Sequence, residues 1–318
     1  MKLLTNIPIQ KSENPINYDS NILLLGSCFA ESIGDKIAYY KFDTTQNPFG
    51  ILFHPKAIEN LITRALDGNT YTDNDVFFSN ERWYCFDAHS SVSSDTEKEL
   101  LQQLNTGLIQ TKKLIIEATH LVITLGTSWV YSENNTSKIV ANCHKLPQQT
   151  FTKALLSTTE ILESLQQICK KVRSVNNTVQ LIFTVSPVRH LKDGFVENQR
   201  SKSHLITAIH QFLENNSDAN AINYYPSYEI MMDELRDYRF YKSDMLHPNE
   251  LAIEYIWEKF CDTHISKKDA AIMKKVATIQ KGLLHRPFHL ESAAHKKFEV
   301  NLQHKIADLK ETHPSIKF

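Results

Sequence analysis

Glycine is scarce in this chain: there are eight in 318 residues, beside ten prolines. That excludes collagen-like and low-complexity architecture. Cysteine is scarce as well. Five of them, an odd number without repeated spacing, argue against a disulfide framework. The absence of C-x-x-C removes the usual structural zinc site. Neither H-E-x-x-H nor any clustered histidine spacing occurs, so no metal and no cofactor are expected. Net charge is nearly absent at −1, which gives no general pull toward nucleic acid or an anionic membrane. Lys170-Lys171 and Lys267-Lys268 read as solvated helix faces. Long apolar runs are missing too. Met1-Lys2-Leu3-Leu4 passes at once into Thr5-Asn6 without a signal-peptide core, and no run is long enough to span a bilayer. The expected protein is soluble and cytoplasmic. No internal repeat is seen.

What remains is an ordinary globular composition with 42% hydrophobic residues, enough for one large domain or a domain with a smaller appendage. Three short apolar runs stand out: ILLL at 22–25, LVITL at 121–125 and LIFTV at 181–185. None alternates, as expected of strands covered on both faces. Each ends on small or polar residues: Gly26-Ser27, Gly126-Thr127-Ser128 and Ser186-Pro187. Helical patterns lie between and after them, at 32–40, 55–66, 96–118, 158–172 and 198–213. Strands alternating with helices predict an α/β domain with a mainly parallel sheet. Ligands of such sheets bind beyond the carboxyl ends of the strands, where the polar clusters sit.

Two segments interrupt this rhythm. Residues 75–88 read as a hairpin turning near Ser79-Asn80, and residues 129–140 as another turning near Asn134-Asn135. Both can wall a crevice, although their aromatics are more often packing residues. After Phe260 the chain has no further strand runs. Helices are expected at 270–284 and 292–309, separated near Arg286-Pro287. The predicted division is a domain over 1–262 and a C-terminal helical extension over 263–318.

The stretch NILLLGSCFAESIGDK places a serine directly after a buried strand, at the first turn of a helix. Free backbone N–H groups point outward there and can stabilise an oxyanion formed when the serine attacks a carbonyl. Serine is a weak nucleophile until a base takes its proton. The segment KSDMLHPNELAIEYIWEKF supplies a candidate base. Pro248 suits the start of a helix, and His247 precedes it on a fixed, exposed position. Asp244 lies three residues earlier, near enough in a turn to reach the imidazole Nδ1–H while Nε2 faces the serine. Either feature alone is commonplace: a GS after a strand is frequent, and Asp-x-x-His before a helix is often only a cap. In the order Ser, Asp, His at opposite ends of one α/β pattern they carry more weight.

These residues resemble a known family. LGSCFAESIGDKI matches the signature of the GSCFA family, which looks like a branch of the SGNH/GDSL hydrolases. QNPFGILFHP, VITLGTSWVY, VANCHKLP, TVSPVRHLKDGFVENQRSK and YYPSYEIMMDELRDYRFYKSDMLHP resemble further family blocks, so the resemblance covers about residues 21–260. It implies the SGNH hydrolase fold, a flavodoxin-like three-layer α/β/α sandwich with a mainly parallel sheet. It also implies a metal-independent serine esterase: Ser27 as nucleophile, His247 as base and Asp244 as orienter. The substrate class is a small-molecule or carbohydrate ester, an O-acyl or O-acetyl ester, with transfer to another hydroxyl as a variant. The second block's glycine, an oxyanion donor, falls on Gly50. The third block is normally Gly-x-Asn, and this chain has Gly126-Thr127-Ser128 instead. Candidates for the missing donor are Ser128, Thr127, Asn142 and Asn47.

Other side chains have competing readings. Cys28 adjoins Ser27 and is a rival nucleophile, or buried filler. His144 is a candidate to line the crevice. His54, before Pro55, reads as a helix-cap residue. Arg189 and His190 follow a strand end and are candidates to bind an anionic or hydroxyl-rich substrate, or to serve in a structural salt bridge. Arg200 and Lys202 read as residues of a helix face. Tyr238, Arg239 and Tyr241 either shape the pocket or pack. The alternative to an enzyme is a binding module with weak or lost catalysis, whose C-terminal helices dock a partner.

Overall fold

In the computed structural model, which describes residues 5–216 and 221–318, five strands form one all-parallel sheet. They are β1 (Asn21–Gly26), β2 (Asp43–Gln46), β5 (His120–Leu125), β9 (Gln180–Val185) and β10 (Ile222–Tyr225), in the spatial order β10-β9-β5-β1-β2. Counting only these five, the order is 2-1-3-4-5, the flavodoxin-like arrangement. Residues 1–4, on which the expectation about a signal peptide falls, lie outside the described residues.

The period-2 geometry of strands divides the core. Leu23, Leu25, Leu121, Ile123, Leu181 and Phe183 face one cluster, with apolar residues of α2 (Pro55–Asp67), α3 (Glu97–Glu117), α4 (Thr158–Val175) and α5 (Phe195–Glu214). Ile22, Leu24, Val122 and Ile182 face the other, with residues of α1 (Cys28–Tyr39) and α7 (Glu250–His264). Two covered faces explain why the central strands read as continuous apolar runs. A short turn α6 (Ser227–Glu229), running into a π-helical turn over Ile230–Glu234, follows β10.

Both expected hairpins form. β3 (Val76–Ser79) and β4 (Arg82–Cys85) pair antiparallel around Asn80 and Glu81, which both take positive φ. β6 (Trp129–Glu133) pairs with β7 (Ile139–Val140), and β8 (Phe151–Leu155) adds along the other edge of β6. That third strand and the two sheet edges, β2 and β10, have no counterpart among the sequence's apolar runs.

The C-terminal helices α8 (Ala270–Leu283) and α9 (Ala293–Thr312) lie on the α1/α7 side. Met273, Val276, Ile279, Leu302, Ile306, Leu309 and Ile316 join the apolar cluster of Ile16, Ile33 and Ile37. Gln280 Nε2 donates to Tyr39 O at 2.9 Å. The apolar stripes of the extension are thus turned onto its own domain. Among the described residues no helix is long and apolar enough to cross a membrane.

Parallel register aligns the carboxyl ends that matter. Gly26 pairs with Thr124, and Leu125 with Val185, so Ser27, Gly126 and Ser186 emerge at one edge.

Candidate active site

Gly26 has φ +136°, and a Cβ built on it would stand 2.1 Å from Thr124 O. Only glycine lets β1 run so close to β5 and then turn. Ser27 follows as the N-cap of α1, with extended backbone, its Oγ accepting from Phe29 N–H at 3.3 Å. The Ser27 N–H donates to Thr124 O at 3.0 Å. Ser27 is wholly buried.

Asn47, at positive φ, locks the next loop onto this turn. Its Oδ1 accepts from Gly26 N–H at 2.8 Å, and its Nδ2 donates to Glu31 Oε1 at 3.2 Å. Gly50, also at positive φ, closes that loop by donating to Asn47 O at 2.8 Å, with its α-carbon against the His89 side chain. Phe53 O then receives Gly126 N–H at 2.7 Å and Thr127 N–H at 3.0 Å. His54 caps α2 through Nδ1, while its Nε2 donates to Val140 O at 3.0 Å. That arrangement fits the cap reading.

The 238–249 loop carries the candidate base. Asp244 Oδ2 lies 2.7 Å from His247 Nδ1, and Oδ1 accepts from the N–H groups of Leu246 and His247 at 2.8 and 3.0 Å. Those two backbone donors, with the imidazole, hold the carboxyl down at about 2. It is therefore ionised at neutral pH and fixes the His247 proton on Nδ1, leaving Nε2 as an acceptor. Met245 takes φ +58° at the centre of the turn. Arg189 docks the loop on the strand end: its N–H donates to Leu246 O at 3.1 Å, and its guanidinium lies over Tyr241 and Tyr238. Tyr238 and Tyr241 pack here.

No hydrogen bond joins Ser27 to His247. His190 follows the end of β9; its protonation is disfavoured first by burial, then by Lys202 and His247. His190 Nε2 is buried without a partner. A Cβ placed on Gly126 would lie 3.1 Å from that nitrogen, 3.2 Å from Phe53 O and 3.3 Å from Ser27 Cβ. With no side chain on Gly126, imidazole and serine flank its α-carbon across a narrow gap.

The other candidates are engaged elsewhere. Ser128 Oγ donates to Ser201 O at 3.1 Å, and Thr127 Oγ1 meets Ser201 Oγ at 3.0 Å, so both hydroxyls turn toward α5. Asn142 Oδ1 accepts from His144 N–H at 2.8 Å and from Ser90 Oγ at 3.2 Å. His144 Nε2 donates to Cys85 O at 2.8 Å among the rings of Phe77, Tyr84 and Phe86. The Cys28 thiol is pushed up by burial and by Glu31, which disfavours the thiolate a cysteine nucleophile needs. Among the described residues no group of three or more His, Cys, Asp or Glu side chains is arranged to hold a metal ion.

Lys202 lies inside, not on a solvated face. It is fully buried, and Nζ donates to Gly126 O and Ser186 O at 2.7 Å each. It clamps the ends of β5 and β9 directly beneath the gap. Burial brings its pKa down to about 7. The signal was in the spacing: Leu205, Ile209 and Phe212 define the buried stripe of α5, and stepping back three and then four residues reaches Lys202 and Asn198.

Comparison with known proteins agrees with the motif pattern. The GSCFA family model matches residues 21–260. The chain belongs to the GSCFA family. A second model, the C-terminal domain of GSCFA domain proteins, matches residues 276–318 of this GSCFA chain. No curated protein matches it. Among solved structures it is similar to a carbohydrate esterase family 3 protein from Talaromyces cellulolyticus, at 10% identity and TM-score 0.37, over 80% of this chain and 98% of that one. An acetyl esterase mutant with acetate ion shows 15% identity and TM-score 0.33, over 81% and 99%. An acetyl xylan esterase from the rumen bacterium Butyrivibrio proteoclasticus shows 12% identity and TM-score 0.35, over 79% and 64%. The fold assignment itself rests on the observed sheet order.

Proposed function

We propose that this GSCFA protein is a metal-independent serine hydrolase of ester bonds. Ser27 Oγ attacks the ester carbonyl and passes its proton to His247 Nε2. The alcohol leaves with that proton, and the acyl group stays on Ser27. Water, activated by the same imidazole, then releases the acid; a second hydroxyl in its place gives acyl transfer. Asp244 holds the imidazole tautomer and balances the imidazolium. O-acyl esters, O-acetyl esters of small or carbohydrate alcohols foremost, are the substrate class. The observation that carries this reading is the 2.7 Å Asp244–His247 pair, on a loop docked through Arg189 beyond the carboxyl end of β9, on the same edge of the sheet as the β1 end that bears the N-cap serine. Catalytic hydrogen bonds are often long in a free enzyme and tighten with substrate, which fits a Ser27 and a His247 that are not yet bonded.

A second reading, a binding module of the same fold, is favoured by two observations. Ser27 has no exposed surface, and the N–H groups of Ser27 and Gly50 both donate within the protein. Labelling with a fluorophosphonate probe separates the two. The hydrolase predicts labelling that disappears in Ser27→Ala and His247→Ala and survives Cys28→Ala. An unlabelled wild-type protein, inert toward short- and long-chain acyl esters and acetylated sugars, leaves the binding module. Labelling lost in Cys28→Ala but kept in Ser27→Ala moves the nucleophile to the thiol.

A further inference from the structure

The resemblance to SGNH hydrolases implies an asparagine as third oxyanion donor, which this chain lacks, and Ser128 and Thr127 spend their hydroxyls on α5. Yet one polar atom beside Ser27 is left with nothing to bind: His190 Nε2, buried and unpartnered. We propose that His190 Nε2–H is an oxyanion donor of this site, taking the place of the absent asparagine. The inference rests on the reading of Ser27 as the nucleophile.

Geometry supports it first. A Cβ built on Gly126 would stand 3.1 Å from His190 Nε2 and 3.3 Å from Ser27 Cβ, so the unpartnered nitrogen and the serine flank the same bare glycine. An oxygen on the carbon that Ser27 Oγ attacks lies two bonds beyond Oγ, which brings it within reach of an ordinary hydrogen bond from a nitrogen that flanks the same glycine. Phe53 O also borders the gap, but its lone pairs face the N–H groups of Gly126 and Thr127. The ring is held in place. The His190 backbone N–H donates to Asn198 Oδ1 at 2.9 Å, and the Phe53 ring meets the imidazole edge-on at 5.5 Å.

Charge decides which role the imidazole takes. Burial, then the Lys202 ammonium, then His247 bring His190 down to about 3. A group so weakly basic is a poor acceptor for the serine proton at neutral pH. As a neutral N–H it is a good donor, because it carries no charge to be neutralised and no water to shed. The oxyanion selects the tautomer with its proton on Nε2. Lys202 Nζ, on Gly126 O and Ser186 O, turns its N–H donors on the carbonyl of the same glycine. Two histidines in different surroundings thus take different work: His247, exposed and with a carboxylate, the proton; His190, buried and beside Lys202, the negative oxygen.

The test compares wild type, His190→Ala, His190→Asn and Gly126→Ala. It measures hydrolysis of 4-nitrophenyl acetate across pH and the inactivation rate by a fluorophosphonate, with a melting curve for each variant. In His190→Ala, kcat falls about 100- to 1,000-fold, the range for one oxyanion donor, with KM little changed and the acid limb of the pH profile retained. Asparagine, restoring a neutral N–H donor, recovers at least about tenfold of that loss. Gly126→Ala fills the gap and slows the reaction comparably while leaving His190 in place. If His190→Ala does not fold, the asparagine and Gly126 variants decide: retained activity in the first with loss in the second supports the proposal. An active wild type with His190→Ala within about threefold of it overturns the donor role. So does an equal loss in alanine and asparagine, and so does disappearance of the acid limb, which makes His190 the base. A wild type inert to both reagents overturns the hydrolase reading and this one with it.

Discussion

In the 238–249 loop, the bonds that orient Asp244 and His247 come from within the loop: carboxylate to imidazole, and carboxylate to the N–H groups of Leu246 and His247. Both side chains are exposed. On the floor of the crevice, Ser27, Gly126, His190 and Lys202 are contributed by the ends of β1, β5 and β9 and by α5, and each is positioned by another element. One half of the site is a local turn and the other a tertiary construction. The difference teaches where function and stability separate. Changes in the loop should cost activity with little stability, whereas changes in the floor should cost both.

The largest expected effect tests the loop. Asp244→Asn keeps an oxygen for the two backbone donors but presents an amide N–H to Nδ1, forcing the wrong tautomer on His247. Ester turnover should fall by about 10⁴-fold, as when a triad carboxylate is replaced, with a melting temperature lowered only slightly, as for the loss of an exposed ion pair. A large drop in melting temperature would show that the loop is not self-contained, and the comparison would fail on that side.

The floor gives the opposite result. In Gly26→Ala the new methyl meets Thr124 O at 2.1 Å on a backbone with φ +136°. Destabilisation should exceed about 3 kcal/mol, at the upper end for single substitutions, because β1 and β5 must separate. Urea denaturation measures it, and a loss below about 1 kcal/mol would mean that the strands can part cheaply. Lys202→Met should be milder. It removes a buried charge but leaves Gly126 O and Ser186 O without their donor, for a net loss of about 1–3 kcal/mol. Its ester turnover should fall too; unaltered turnover would confine Lys202 to a structural clamp.

The same contrast governs what could be read in advance. Asp244 and His247 are legible because three residues of spacing just before a helix encode their geometry, although the helix begins at Glu250 behind an Asn249 cap and Pro248, expected at its first position, stays in the loop. The central strands are legible because burial on both faces leaves continuous apolar runs. The place of Ser27 at a strand-to-helix junction is legible from the apolar run that ends on it, while its standing as a candidate comes only with Asp244 and His247. β2 and β10 are sheet edges, short and partly polar, and DTTQ and INYY carry no such run. Lys202 looks like a surface residue because lysine is almost never fully buried unless paired, and its partners are two carbonyls that no motif advertises. The role of His190 depends on what Gly126 lacks, a side chain, and on which strand end lies opposite, which is known only once β5 and β9 are in register.

The smallest effect separates the two regions by pH. His54, His144 and His264 are buried, and burial lowers each to about 4 from the ordinary 6.5. Each is held neutral. His54 faces Val140 O, His144 faces Cys85 O and His89, and His264 lies against the Phe260 ring and His120. Between pH 4 and 6.5 the unfolded chain binds more protons at these sites than the folded one. Stability therefore rises with pH through that window and is lost on acidification, by up to about 1.4 kcal/mol per pH unit for each histidine. Asp244 behaves differently: its folded pKa is depressed to about 2, so its contribution is lost only as pH falls below the carboxylate range toward that value. Urea midpoints at pH 7, 6, 5 and 4.5 should show a slope that belongs to the interior, with the loop silent. His54→Asn keeps a side chain suited to the α2 cap and removes one titrating site, so the slope should flatten by up to one proton's worth. An unaltered slope in that variant, or a slope that vanishes in Asp244→Asn, would assign the acid sensitivity to the exposed loop and reverse the contrast between the two regions.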